Sequence, residues 1–359
     1  MRIAYLGQMA DVATENGISK KIRAQAKAWL GAGHAVCYFA LTPTGTVWPG
    51  LAPLEAELLV RGNPLQRALQ SRRLAQRIRA WRPDVIYFRY AHHSPGLRTL
   101  FRDIPAVAEI NSDDQAEYPL TLAPLKLAYH RLSRTRVLRA VAGFVPVTRE
   151  LGRRFAGFAK PTEVIANGIE LGDFAVAPPP ATPPSLVFVG SSGTPWHGLE
   201  RIAEISALLP GITIDIVGCS VADWTSATPA PASMRFHGQL ARDRYEPIAG
   251  RAIAALGTLA LFRKHMDEAC PLKVREYLAM GLPVIAGYED TDIPAGADYF
   301  LRLPNNAAPL AGEQARLAAF IDRWRPQRVP RATVAHLDIG AKEARRLVFL
   351  AQIAQAHRP

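Results

Sequence analysis

Strand-like and helix-like runs alternate along nearly all of this 359-residue chain, and a single proline-dense stretch interrupts them. Short apolar runs fall near 2–6, 35–40, 84–90, 105–110, 143–148 and 163–166, with helix-like segments such as Ile18 to Leu30, Leu65 to Trp81 and a basic one from Leu125 to Val141 between them. Strands that read as near-continuous apolar runs are buried on both faces, as in a parallel sheet covered by helices. From Ala175 to Pro184 the chain then carries Pro178, Pro179, Pro180, Pro183 and Pro184. Proline lacks the amide donor and fixes φ, so regular hydrogen bonding stops there. A second alternating series begins at Leu186 to Gly190 and continues near 212–218, 234–237, 253–261, 283–287 and 298–303. The expectation is two doubly wound α/β lobes, 1–168 and 185–335, joined by a linker over 169–184, with a last helix in 336–359. A ligand cleft is expected between the lobes, at the carboxyl ends of the strands.

This length suffices for two separate cores. No run of about eighteen apolar residues appears, so no spanning helix is expected. The start, Met1 to Gly7, reads as a strand without a signal-peptide cleavage site. Cys37, Cys219 and Cys270 are odd in number and far apart, which suggests neither a disulfide framework nor a zinc site. A reducing cytoplasmic setting is therefore expected. The 43 Lys and Arg against 31 Asp and Glu leave a net charge of +12, which favours anionic partners: nucleoside diphosphates, nucleic acid or an acidic membrane face.

Residues 264 to 283 say most about chemistry. Pro271 stands where a first helical residue suits its fixed φ, and Gly281 where the chain must turn out of the helix. A helix from about Pro271 to Met280 has amides at Leu272, Lys273 and Val274 with no carbonyl one turn earlier, at the positive end of its dipole. Such a helix start receives anions. Glu268 precedes it and Glu276 lies one to two turns inside, so one ligand could touch both carboxylates and the amides between them. Sugar hydroxyls, a diphosphate and a ribose are the matching chemistry.

Glu268 and Glu276, with seven residues between, followed by Tyr277 to Gly281 and a buried strand, resemble the E-x7-E motif of retaining glycosyltransferases of the GT-B fold and family-four type. Other segments agree. Glu15 to Lys21 after the first strand looks like the family's amino-terminal glycine loop, in which Gly17 would let backbone approach the donor phosphates, with Lys20 and Lys21 facing phosphate or solvent. Val164 to Glu170 is similar to the family's "VIxNGID" junction. Phe188 to Gly198 resembles the loop that usually carries an Arg and a Lys, yet Ser191 and His197 stand at those positions here. Arg263, Lys264 and Lys273 are the nearest substitutes for the missing charge, and His197 either binds phosphate or caps the next helix. Glu109 to Asp114 occupies the place of a His-containing sugar-pocket segment; it has no histidine, so Asn111 or Asp113 would contact the sugar, or Asp113 would cap a helix.

The resemblance implies an α/β GT-B fold of two Rossmann-like parallel-sheet domains facing a central cleft, with the carboxyl-terminal helix crossing back to the first domain. It implies transfer of a sugar from a nucleoside-diphosphate donor to a glycan or lipid-linked acceptor held by the first lobe, with retention and without a metal or other cofactor. Glu268 would orient the sugar and stabilise the developing cation, Glu276 would hold the ribose, and the Leu272 and Lys273 amides with Lys264 or Arg263 would hold the diphosphate. Asp113-Asp114 and Asp290-Thr291-Asp292 look like metal-binding DxD runs of a different transferase fold, a reading set aside here. The basic stretch with Lys126, Arg131, Arg134, Arg136 and Arg139 among Leu125, Tyr129, Leu132 and Leu138 either rests on anionic lipid at the inner membrane face or is a solvated helix face. Two other classes stay open: a non-catalytic sugar-nucleotide-binding subunit, and a nucleic-acid binder, for which no recognition module is seen. A dehydrogenase would need a G-x-G-x-x-G after the first strand, which is missing.

Overall fold

A computed structural model describes residues 1–8, 16–91 and 93–357. Glu15, part of the loop read after the first strand, lies outside the described residues. The chain divides into two compact units, Met1–Ala166 with Ile339–Pro359, and Asn167–Asp338.

The first unit runs β1 (Arg2–Gln8), α1 (Gly17–Gly31), β2 (Ala35–Thr42), β3 (Glu55–Val60), α2 (Pro64–Trp81), β4 (Val85–Arg89), α3 (Leu97–Asp103), β5 (Ala106–Ile110), α4 (Asp114–Thr121), α5 (Pro124–Ala140), β6 (Gly143–Pro146) and α6 (Arg149–Phe155). Its six strands are parallel in the order β3-β2-β1-β4-β5-β6. β1, β4 and β5 are buried almost throughout, as their unbroken apolar runs require. β3 was not expected: Glu55 and Glu57 alternate with apolar residues because it is the edge strand, half exposed. The run at 163–166, expected as a strand, runs beside β6 without becoming a strand: the Glu163 and Ile165 amides donate to the Phe144 and Pro146 carbonyls at 3.0 and 3.1 Å, next to an isolated bridge between Phe144 and Thr162.

Local capping sets the helix starts. The Asn16 side chain accepts from the Ile18 and Ser19 amides, and Asn63 forms a capping box with Gln66 ahead of Pro64. Asp113 accepts from the Gln115 amide and so caps α4, one of the roles open for it. The strand order sends the chain out through β2 and β3 and back through β4, β5 and β6. Right-handed crossovers therefore put α1 on one face of the sheet and α2, α3 and α5 on the other; α3 packs on both α2 and α5.

The second unit contains β7 (Ser185–Val189), α7 (Leu199–Leu208), β8 (Thr213–Val217), β9 (Met234–Gly238), α8 (Arg242–Arg251), β10 (Ala254–Leu256), β11 (Glu268–Ala269), α9 (Leu272–Ala279), β12 (Val284–Ala286), β13 (Glu289–Asp290), β14 (Phe300–Arg302) and α10 (Gln314–Trp324). Its parallel sheet has the order β14-β12-β10-β7-β8-β9, and β11 pairs with β13 in a separate two-stranded piece. The switch in direction falls between β7 and β10, where ligands of open α/β sheets bind.

The expected linker at 169–184 is corrected. Its prolines make no ladder, but the segment lies along the second unit: the Ala177 amide donates to the Met280 carbonyl at 2.9 Å, Ala181 to Arg251 at 3.0 Å, and Arg328 donates to Pro178 at 2.8 Å. The chain passes between units at 166–167 and again at 338–339. The final helix, α11 (Ile339–Ala356), belongs to the first unit. It packs on α1 and β4, buries Phe349, Leu350 and Ile353, and accepts at Glu343 Oε2 a hydrogen bond from Trp29 Nε1 at 2.8 Å.

Candidate functional site

α9 starts one residue later than expected, with Pro271 as an extended cap that supplies no side-chain hydrogen bond. Gly281 ends it at φ +78, and a Cβ there would meet Val176, Arg328 and the Val329 carbonyl at 3.1–3.2 Å. Among the described residues no acceptor is recorded for the Leu272 and Lys273 amides, whereas Val274 donates to Pro271 at 3.1 Å. An uncapped start of this kind leaves its partial positive charge facing outward along the axis.

Both glutamates are buried, Glu268 to 5% and Glu276 to 8% exposure, at opposite sides of that start in the chain. Glu268 is on β11, whose pairing with β13 fixes its backbone. Glu276 Oε2 accepts from Tyr245 Oη of α8 at 2.8 Å. The element between them is clamped by Arg275, fully buried, whose two terminal nitrogens each donate to an Asp290 oxygen at 2.7 Å while Nε donates to the Asn167 carbonyl at 2.9 Å. Asn167 in turn donates from Nδ2 to the Cys270 carbonyl at 2.7 Å and from its amide to Cys270 Sγ at 3.0 Å. The junction segment read from "VIxNGID" thus holds the loop that leads into α9. Asp290, tempting as half of a DxD pair, is the counter-ion of Arg275.

Lys273 is the least conventional group here. Its Nζ is buried with no hydrogen-bond partner, 4.0 Å from the Phe188 ring centroid at the end of β7. Burial pushes its ammonium down to about 7. The residue as a whole is half-buried, whereas its charged tip is withdrawn from water.

His197 faces the same place, and of the two roles expected of it the capping of α7 falls to Gly198. Its Nε2 accepts from the Ser191 amide at 3.0 Å, which holds the loop after β7. Burial and then the Lys273 charge push its imidazole down to about 2, so it is neutral; with Nε2 accepting, its Nδ1 carries the proton and is buried without a hydrogen-bond partner among the described residues. Arg263 lines the cavity beside His197 and donates to the Pro195 carbonyl at 2.6 Å and to Glu200 at 2.8 Å, an ion pair that offsets part of its charge. Lys264 is buried with its Nζ 4.4 Å from the Trp196 ring centroid. Beside these groups a cavity of about 370 Å³ opens at the carboxyl ends of β7 and β8, lined by Ser191, Ser192, His197, Cys219, Asp223 and Trp224 among others. Asp223 fixes its floor by accepting from Ser192 Oγ at 2.5 Å and from the Gly193 and Ser220 amides.

Gly17 and Asn111 belong to the first unit. Gly17 is the first residue of α1, and its φ is not left-handed, so backbone conformation does not demand glycine there. Asn111 accepts from Lys21 Nζ at 2.8 Å and donates to Glu109 at 3.0 Å. Its amide therefore serves a buried ion cluster: Glu109 is paired with Lys21 at 2.7 Å and Arg89 at 3.1 Å, and accepts from Tyr87 at 2.7 Å. Burial alone would raise the Glu109 carboxyl, but Lys21, Arg89 and Arg346 hold it well below the usual range. Lys21 is thus neither a solvent nor a free phosphate lysine. Sequence reasoning missed Tyr245 and Arg275, whose partners are distant along the chain, and Asp223, whose Ser220-x-x-Asp223 capping box was the one local signal available.

Residues 16–173 match the sequence model of the family described as Glycosyltransferase Family 4, somewhat under half of the chain. A comparison with curated proteins found no match. Among solved structures the chain is similar to sucrose-phosphate synthase from Thermosynechococcus elongatus, at 16% identity and TM-score 0.68 over 99% of both chains. It is similar to HepE from Anabaena in complex with UDP and glucose, at 14% identity and TM-score 0.65 over 98% of this chain and 100% of that one. The lipopolysaccharide outer core galactosyltransferase WaaB in its apo form matches at 12% identity and TM-score 0.64 over 97% and 99%. The two parallel six-stranded sheets have the two-domain α/β architecture of these proteins, the GT-B fold, and within it residues 16–173 resemble Glycosyltransferase Family 4.

Proposed function

We propose that the protein transfers a hexose or related sugar, with retention and without a metal, from a nucleoside diphosphate to a glycan or lipid-linked acceptor in polysaccharide synthesis. The observation that carries this reading is the buried, unpartnered Lys273 ammonium beside the uncapped start of α9, with buried Glu268 and Glu276 on either side of it. An ammonium in that position has a large unmet demand for an anion.

In this reading the Leu272 and Lys273 amides and Lys273 Nζ receive the diphosphate, with Lys264 as a further cation. The cavity at β7 and β8 holds the nucleoside; its volume lies at the lower end of the range of about 300–1,000 Å³ usual for ligand pockets. Glu276, already fixed by Tyr245, accepts the ribose hydroxyls. Glu268 accepts hydroxyls of the transferred sugar. The bond from the anomeric carbon to the diphosphate oxygen breaks, its electron pair leaves with the diphosphate, and the helix amides stabilise that growing negative charge. The acceptor oxygen bonds to the same face of the anomeric carbon, and its proton passes to the departing phosphate. His197 contributes through the loop it holds. HepE, one of the structural relatives, has been seen with UDP-glucose, so uridine donors come first in a screen.

A thermal-shift screen of uridine and guanosine diphosphate sugars, followed by analysis of released nucleotide and sugar product, tests the proposal. Stabilisation by one donor and turnover lost in Glu268→Ala support it; no shift with any donor contradicts it. Ser191 and a neutral His197 at positions that hold cations in similar enzymes favour a second reading, a donor-binding subunit without activity. That subunit would show the thermal shift and no Glu268-dependent nucleotide release.

A further inference from the structure

We infer that the face of the first unit formed by α2, α3 and α5 docks on a bilayer leaflet containing acidic phospholipid, through the first halves of both α2 and α5. The inference concerns a surface distinct from the donor site and holds or fails separately from the transferase reading. The basic stretch in α5 alone is ambiguous between a docking and a solvated face. What the fold adds is a second helix of the same character on the same side of the sheet.

The first half of α5 exposes Leu125 at 87% and Leu132 at 78%, and the first half of α2 exposes Leu65 at 85% and Leu69 at 50%. Two neighbouring helices that each leave leucines in water are an apolar surface lacking its partner. The helices belong to one face: α3 packs on both, His93 Nδ1 lies 2.6 Å from the Tyr129 hydroxyl of α5, and Arg67 of α2 is within electrostatic reach of that hydroxyl. Neither α2 nor α5 contains an acidic residue. Arg72, Arg73, Lys126, Arg131, Arg136 and Arg139 have no ion-pair partner among the described residues. Buried positions look inward instead: Leu74, Ile78, Val137 and Leu138 meet the core.

Leucines flanked by uncompensated Arg and Lys match an acidic lipid interface, where apolar side chains enter the acyl boundary and cations meet phosphate headgroups. A nucleic-acid surface would account for the arginines but gain nothing from four exposed leucines. Among the described residues no helix is long and apolar enough to cross a membrane, so contact of this kind would lie in the interface plane.

The test is flotation of the full chain with vesicles of phosphatidylcholine alone and with about one quarter phosphatidylglycerol. The pairs Leu65→Ser with Leu69→Ser, Leu125→Ser with Leu132→Ser, and Lys126→Gln with Arg131→Gln are compared with wild type. All are exposed positions, and an unchanged melting temperature confirms that each variant is folded. Binding to the acidic vesicles should exceed that to neutral ones by about tenfold, weaken with salt, and fall about tenfold in each pair. Equal binding to both vesicles, wild-type binding by both leucine pairs, or binding to duplex DNA in place of vesicles would overturn the inference. Nucleoside diphosphate binding, measured on the same preparations, reports on the donor site independently.

Discussion

Lys273 Nζ sits 4.0 Å from the centroid of the Phe188 ring, buried and without a hydrogen-bond partner. An aromatic face offsets part of the lost hydration of an ammonium and leaves the rest uncompensated. The shift of its ammonium to about 7 expresses that deficit.

The deficit makes stability depend on pH in a stated direction. The folded value lies below the unfolded one of 10.5, so between about 7 and 10.5 the unfolded chain holds more protons. Stability should rise with pH across that window, the penalty being complete below 7. Lys273→Met removes it and should be more stable than wild type at pH 6 by on the order of a few kcal/mol, with the gap closing by pH 10. Urea unfolding of both proteins at the two pH values checks this.

Ligand binding should show the converse sign. An anion beside Lys273 raises its pKa, so above pH 7 binding takes up a proton and affinity should fall, by at most about tenfold per pH unit. In calorimetric titrations with uridine or guanosine diphosphate, wild type should weaken from pH 7 to 9 more steeply than Lys273→Met. Comparison with the variant cancels ionisation of the nucleotide itself.

The Arg275–Asp290 pair should be structural. Asp290→Asn leaves a buried guanidinium short of its counter-charge and should cost about 3–5 kcal/mol. Thermal unfolding should show this loss, with partial recovery when Arg275→Met is added. Glu268→Gln should instead leave stability nearly unchanged and lower kcat by about a hundredfold or more, whereas Glu276→Ala should act mainly by raising the donor KM.

In the first unit, Glu109 gives the same sign in a more acidic window, as a stabilising contribution gained with rising pH and not a penalty relieved. Its folded value is depressed by Lys21, Arg89 and Arg346 against the effect of burial, so its contribution is present above the unfolded value of 4.5 and lost as pH falls below it. Glu109→Gln should flatten the acid limb of the stability curve and leave Lys21 and Arg89 without a buried counter-charge.

Much of the architecture was legible because parallel strands buried on both faces leave unbroken apolar runs, as in β1, β4, β7 and β12. β3 escaped because an edge strand keeps Glu55 and Glu57 in water, and alternation over six residues carries little signal. The proline run correctly announced a break in hydrogen bonding, yet nothing in its composition says that Ala177 and Ala181 bond to the second unit. Within the candidate site, spacing put Glu268 and Glu276 on either side of a helix start, where the structure also has them. It could not separate the cations: Arg263 and Lys273 read alike, and only folding puts Glu200 against one and an apolar ring against the other. The neutrality of His197 is equally a product of burial, invisible to its neighbours in sequence.

A crystal structure of the protein with whichever nucleoside diphosphate raises its melting temperature tests the central claim most directly. The phosphate oxygens should lie within hydrogen-bonding distance of the Leu272 and Lys273 amides and Lys273 Nζ, with ribose hydroxyls on Glu276. A diphosphate bound away from the start of α9, with Lys273 still against Phe188 and unpartnered, would contradict the account.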